Sequence, residues 1–193
     1  MKERKLTISI VWANIFSIGF FSIIAIPTII LWNIMWGSTG FFPFHKGMSY
    51  EEVNTALTGS MIRTAIFVVA MIVGIVVHEL IHGITWAHYA KGGLKTISFG
   101  IMWKMLTPYC HCNEPLKVRS YIIGALMPLI VVGILPWVIG LLLHSILVTA
   151  LGVIFIVSAS GDILVVWKLR NEKSTSTVLD HPTEAGCIIY DKE

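Results

Sequence analysis

Four stretches of the chain, at about 7–32, 62–88, 118–142 and 146–167, are apolar and long enough to cross a hydrocarbon core, which takes roughly 20 residues of helix. Each must be helical, because a bilayer offers no hydrogen-bond partner to exposed backbone N–H and C=O groups. The composition agrees: of 193 residues, 55% are hydrophobic and only 13% charged, and the mean hydropathy is +0.79. That excludes an ordinary soluble domain, and the length suits one domain rather than two. The net charge of +3 is spread along the chain without a basic block, so nucleic acid is not an expected partner. Cys110, Cys112 and Cys187 have no framework spacing and do not predict a disulfide-stapled fold.

The segment before the first helix carries Lys2, Arg4 and Lys5, and the apolar run after it continues to about Trp36. That is longer than the core of a cleaved signal peptide, so the run reads as a retained membrane helix. The positive-inside rule orients the four helices. With the N-terminus in the cytoplasm, Lys91, Lys95, Lys104, Lys117 and Arg119 in the middle connection fall inside. So do Lys168, Arg170 and Lys173 after the last helix, while Lys46 and Arg63 fall outside. Both termini are therefore expected in the cytoplasm, with residues 171–193, polar and without periodicity, as a mobile tail. In the middle connection Ile97, Phe99, Ile101, Trp103 and Met105 alternate with Ser98, Gly100, Met102 and Lys104, the period-2 signature of a half-buried strand. Thr107-Pro108 is the expected turn and Tyr109 to Asn113 the expected return strand. The predicted fold is an all-α integral membrane protein of four transmembrane helices, with a small cytoplasm-facing β-hairpin between the second and third. Residues 1–170 form its single domain.

The second apolar stretch contains His78-Glu79-Leu80-Ile81-His82. Histidines four apart stack on one helix face and can hold one metal ion through their imidazoles. Glu79, about 100° round the helix, can take a proton from a water at that ion. Ionisable groups in an apolar helix cost on the order of 3 kcal/mol each on insertion, so the pattern is seldom accidental there. The plainer alternative is a structural histidine pair bonded between helices. Catalytic zinc takes three protein ligands and a water, which leaves one ligand to find.

Glu79 and Asp162 are the carboxylates within the membrane stretches. Asp162 follows Ser158, Ala159, Ser160 and Gly161, small residues that suit close helix approach. With Trp86 and Trp167 as interfacial anchors, His82 lies about 6 Å and Asp162 about 7–8 Å above them, at one depth. His88 and Glu114 are the rivals. His88 has the offset of a metzincin third ligand, but Thr85 stands where that motif needs glycine. Glu114 would have to fold back from the middle connection, as the distant glutamate of gluzincins does. Cys110-His111-Cys112 is spaced too tightly for a zinc knuckle. Pro128 and Pro136, among glycines, interrupt the third helix, as simple kinks or to open a water path.

HELIHG in a membrane helix, YCHCNEP over Tyr109–Pro115, a proline-bearing helix and SASGD ending at Asp162 resemble the bacterial putative zincin peptidases. More distantly they are similar to the site-2 protease superfamily of intramembrane metalloproteases. The resemblance covers about 62–167. It implies zinc held by His78, His82 and Asp162, with Glu79 as general base. It also implies a membrane-associated β element, at about 95–113, that aligns substrate as an added strand; Phe99, Ile101 and Glu114 are its candidate substrate contacts. In site-2 proteases a glycine follows the aspartate, whereas here Gly161 precedes Asp162. The implied activity is that of a zinc-dependent endopeptidase in the plasma (inner) membrane of a prokaryote. Its substrate would be a membrane protein or peptide, cleaved in or near the bilayer, and the oligomeric state stays open. A non-proteolytic metal-binding membrane protein, such as a sensor or carrier subunit, is the alternative.

Overall fold

The computed structural model describes residues 2–37, 44–103, 107–181 and 186–191. Its helices are α1 (Ile10–Trp36), α2 (Tyr50–Tyr89), α3 (Val118–Pro128), α4 (Leu135–Leu142), α5 (Ile146–Ser158) and α6 (Ser160–Leu169). α1, α2 and the continuous 118–142 unit are long and apolar enough to cross a membrane, and α5 with α6, bent by 40° between them, makes a fourth candidate. α2 begins well before the apolar run because Ser49 and Glu52 form a capping box. The Ser49 N–H donates to Glu52 Oε2 at 2.7 Å, and the Glu52 N–H to Ser49 Oγ at 3.2 Å, satisfying two otherwise orphaned donors. Between α3 and α4, Leu129–Ile134 winds as a π-helix, directly after Pro128, whose missing N–H breaks the regular ladder.

Two antiparallel sheets accompany the helices, so the fold is mostly helical rather than all-α. In the expected hairpin, β2 (Ile97–Met102) pairs with β3 (Thr107–Cys112). Lys104 and Met105 lie outside the described residues. The return strand starts earlier than expected, and Thr107-Pro108 belongs to it rather than to a turn. The Asn113 N–H donates to Thr96 O at 2.8 Å, which makes Ser98–His111 and Gly100–Tyr109 the hydrogen-bonded pairs further along. Pro108 faces Ile101 at a non-hydrogen-bonded position, so its missing N–H loses no ladder bond. The hairpin lies back along α2, since a methyl on Gly83 would meet the side chains of Phe99 and Ile97.

The second sheet overturns the expectation of a mobile tail. Its order is β1 (Lys2–Thr7), β6 (Gly186–Asp191), β5 (Thr177–Asp180) and β4 (Leu116–Lys117). It gathers strands from before α1, after α2 and after α6, so each pair of long helical units returns the chain to the same end. The tail orders because it buries apolar side chains: Val178, Cys187 and Ile189 join Trp86, Leu116 and Tyr121 in one core cluster. Outside it, Arg4 bonds Asp191 at 2.9 Å and Glu172 at 2.5 Å. Exposed pairs of this kind add little stability, but they tie the two ends of the chain. At the opposite end α4 and α5 approach backbone to backbone, where a methyl on Gly140 would strike Thr149 and one on Gly152 would strike Trp137.

Candidate metal centre

α2 places His78 and His82 one turn apart, both buried. α6 starts after the bend at Ala159, and Asp162 lies in its first turn, where the free N–H groups of a helix N-terminus favour a carboxylate. A Ser17–Ser160 hydroxyl hydrogen bond of 2.6 Å ties this turn to α1. Asp162 Oδ2 is 3.5 Å from His78 Nε2, and Asp162 Oδ1 is 3.6 Å from His82 Nε2. The three ligand atoms lie within 4.8 Å of one another, the one such cluster among the described residues. Donors that share a tetrahedral zinc at about 2.0–2.2 Å stand about 3.3–3.6 Å apart. Each imidazole therefore has one Asp162 oxygen at a separation that suits a shared ion, and two imidazoles with a carboxylate are a zinc donor set. Glu79 is half-buried beside them, with the backbone of Cys110 on β3 near its carboxylate.

His82 is held from behind. Its Nδ1 lies 2.9 Å from the carbonyl oxygen of Gly124. A carbonyl can only accept, so Nδ1 carries the proton and Nε2 keeps its lone pair for a metal. The carbonyl is available because the residue four positions on is Pro128, which has no N–H to offer it. Gly124 must also lack a side chain, since a methyl there would collide with the indole of Trp86. That indole stacks on His82 at 5.0 Å and on Tyr121 at 5.2 Å, nearly parallel to both, and its Nε1–H donates to Tyr121 O at 3.0 Å. His78 lies edge-on to His82 at 4.9 Å, and its buried Nδ1 meets no partner among the described residues. In the sequence Trp86 marks only depth, and Gly124 is one of the glycines that accompany Pro128 and Pro136. The signal for its role was the glycine–proline spacing.

The other candidates lie elsewhere. His88 is exposed and packs edge-on against Tyr89 at 5.2 Å. The Glu114 carboxylate accepts the N–H groups of Lys91 and Gly92 at 2.9 and 3.0 Å, which anchors the turn after α2 and holds its carboxyl below the usual range. Cys110 and Cys112 are buried free thiols, and burial raises both above the ordinary thiol range. Phe99 and Ile101 are half-exposed on the hairpin face that carries Ile97.

No curated protein and no solved structure matches the chain. The family described as "Putative zincin peptidase" matches residues 71–177, from the α2 turns before His78 through α6 to the start of β5. That span is more than half of the chain and contains every residue of the metal cluster, and the protein belongs to this family.

Proposed function

We propose that this protein is a zinc-dependent endopeptidase of the membrane, cleaving peptide bonds in or near the bilayer. The observation that carries the reading is the convergence of His78 Nε2, His82 Nε2 and the Asp162 carboxylate beside Glu79. Zinc held by those three side chains supplies Lewis-acid polarisation of the scissile carbonyl and a water that ionises near neutral pH. Glu79 takes the proton of the attacking water on a carboxylate oxygen and delivers it to the leaving amine nitrogen. The Gly124 carbonyl fixes the His82 tautomer. These roles match those implied by the likeness to site-2 proteases.

The outer edge of β2 supports a substrate site. The hairpin register turns the backbone N–H and C=O of Phe99 and Ile101 away from β3, toward any added strand. A membrane helix hides its carbonyls, so it must unwind to be cut, and pairing along an edge strand would satisfy the groups it frees. Phe99 packs over Gly83, adjacent to His82, so the hairpin lies against the helix that carries both histidines.

The bilayer setting rests on exposure. Ile18, Ile34, Val69, Ile72, Val76 and Ile84 on α1 and α2 are all more than half exposed, an apolar surface that water does not tolerate. Strands from before α1, after α2 and after α6 in one sheet support an even number of crossings, with the bent α5–α6 unit as one span of four. The Lys/Arg asymmetry orients the sheet to the cytoplasm of a prokaryotic inner membrane.

The test is zinc content, together with cleavage of co-expressed single-span membrane proteins, for wild type and Glu79→Gln. Both are expected to hold about one zinc per chain, with turnover in the variant lower by about 10²–10⁴-fold. Equal turnover would overturn the role of Glu79. Zinc in the wild type without cleavage of any substrate would favour a metal-binding protein instead.

A further inference from the structure

Asp180 ends β5, beyond the stretch shared with the family, yet it reaches inward rather than to the surface. Its Oδ1 accepts the Tyr121 hydroxyl at 2.5 Å, and its Oδ2 accepts the Cys112 N–H at 2.8 Å. Each bond leads toward the metal cluster by its own route. Tyr121 is the end of the stacked column that runs through Trp86 to His82. Cys112 lies on the outer edge of β3, two residues after Cys110, and N–H groups at this spacing share one edge of a strand. The edge that Asp180 grips is therefore the edge whose Cys110 backbone lies near Glu79. One carboxylate braces both the ring column behind a ligand and the strand beside the general base.

We propose that Asp180 is a positioning residue of the metal centre, and that the C-terminal strand takes part in catalysis by supplying it. This rests on the endopeptidase reading. Asparagine keeps the shape of Asp180 but removes the charge and replaces one acceptor oxygen with a donor, so in Asp180→Asn the Tyr121 bond survives only if the hydroxyl turns to accept. Tyr121→Phe removes only the hydroxyl and leaves the Cys112 bond in place. Groups bonded directly to a metal ligand typically change activity by about 10–100-fold when removed, and Asp180, which acts through Tyr121 and Trp86, is expected at the lower end of that range.

The experiment loads wild type, Asp180→Asn and Tyr121→Phe with cobalt(II) in place of zinc. It records the visible absorption bands, which depend on ligand geometry, and measures kcat and KM on the zinc forms. Each variant is expected to bind about one metal per chain, with shifted cobalt bands, kcat lower by about 10-fold and KM nearly unchanged. A purely structural role would lower the melting temperature and leave the bands and kcat of the folded protein as in wild type, which overturns the proposal. If Asp180→Asn does not fold, Tyr121→Phe decides alone by the same criteria. Wild type that binds no cobalt and cleaves nothing would instead remove the endopeptidase reading, and this proposal with it.

Discussion

In a regular helix the Gly124 carbonyl would accept the N–H of residue 128, and because that residue is proline it turns to His82 instead. Pro128→Ala restores the competing donor. We expect it to weaken zinc binding by about 10-fold, read by competition with a chelator, while the regained helical bond offsets part of the stability lost with the buried ring. Gly124→Ala should instead destabilise the fold by about 1–3 kcal/mol, because the added methyl meets the Trp86 ring. Asp162→Ala removes a charged member of the cluster and is expected to abolish stoichiometric zinc, which elemental analysis would show. At this scale the site was largely legible. His78, Glu79 and His82 sit on one turn, so helical period alone groups them, and Asp162 followed from its depth. The Gly124–Pro128 spacing marks a carbonyl without its helical donor, but no periodicity says that it faces the imidazole of His82.

The hairpin announced itself because five alternating positions are enough to separate a strand from a helix. The terminal sheet did not. β4 has two residues and β5 four, and in β6 Cys187, Ile188 and Ile189 are buried in succession, so no alternation marks it. Asp180 was hidden with its strand. The turn after α2 gives a sharper test of an element. The Lys91 and Gly92 N–H groups hold the Glu114 carboxyl below its model-peptide value. This contact therefore stabilises the turn fully above the unfolded pKa of about 4.3, and is lost as pH falls through the lower folded value. Amide exchange at Lys91 and Gly92, relative to the intrinsic rate at each pH, should quicken below about pH 4 in wild type. In Glu114→Ala it should be fast at neutral pH as well, with zinc content unaffected. Loss of zinc in that variant would return Glu114 to the metal.

Across the whole molecule, antiparallel pairing of β1 with β6 commits both ends of the chain to one side. Reporters fused before Lys2 and after Asp191 should both read as cytoplasmic, and Lys46, replaced by cysteine, should label from outside intact cells. Opposite readings at the two ends would be incompatible with the sheet. The same pairing bears on when the candidate centre is complete. Arg4 and Asp191 bond across 187 positions of sequence, so the first strand made must wait for the last, and contacts this distant form late. The helix carrying His78, Glu79 and His82 is synthesised midway, but Asp162 and Asp180 follow only with the final span and the strand after it. If the centre cleaves unwound membrane segments, its delayed completion keeps the nascent chain, and any helices inserting beside it, from being cut during translation.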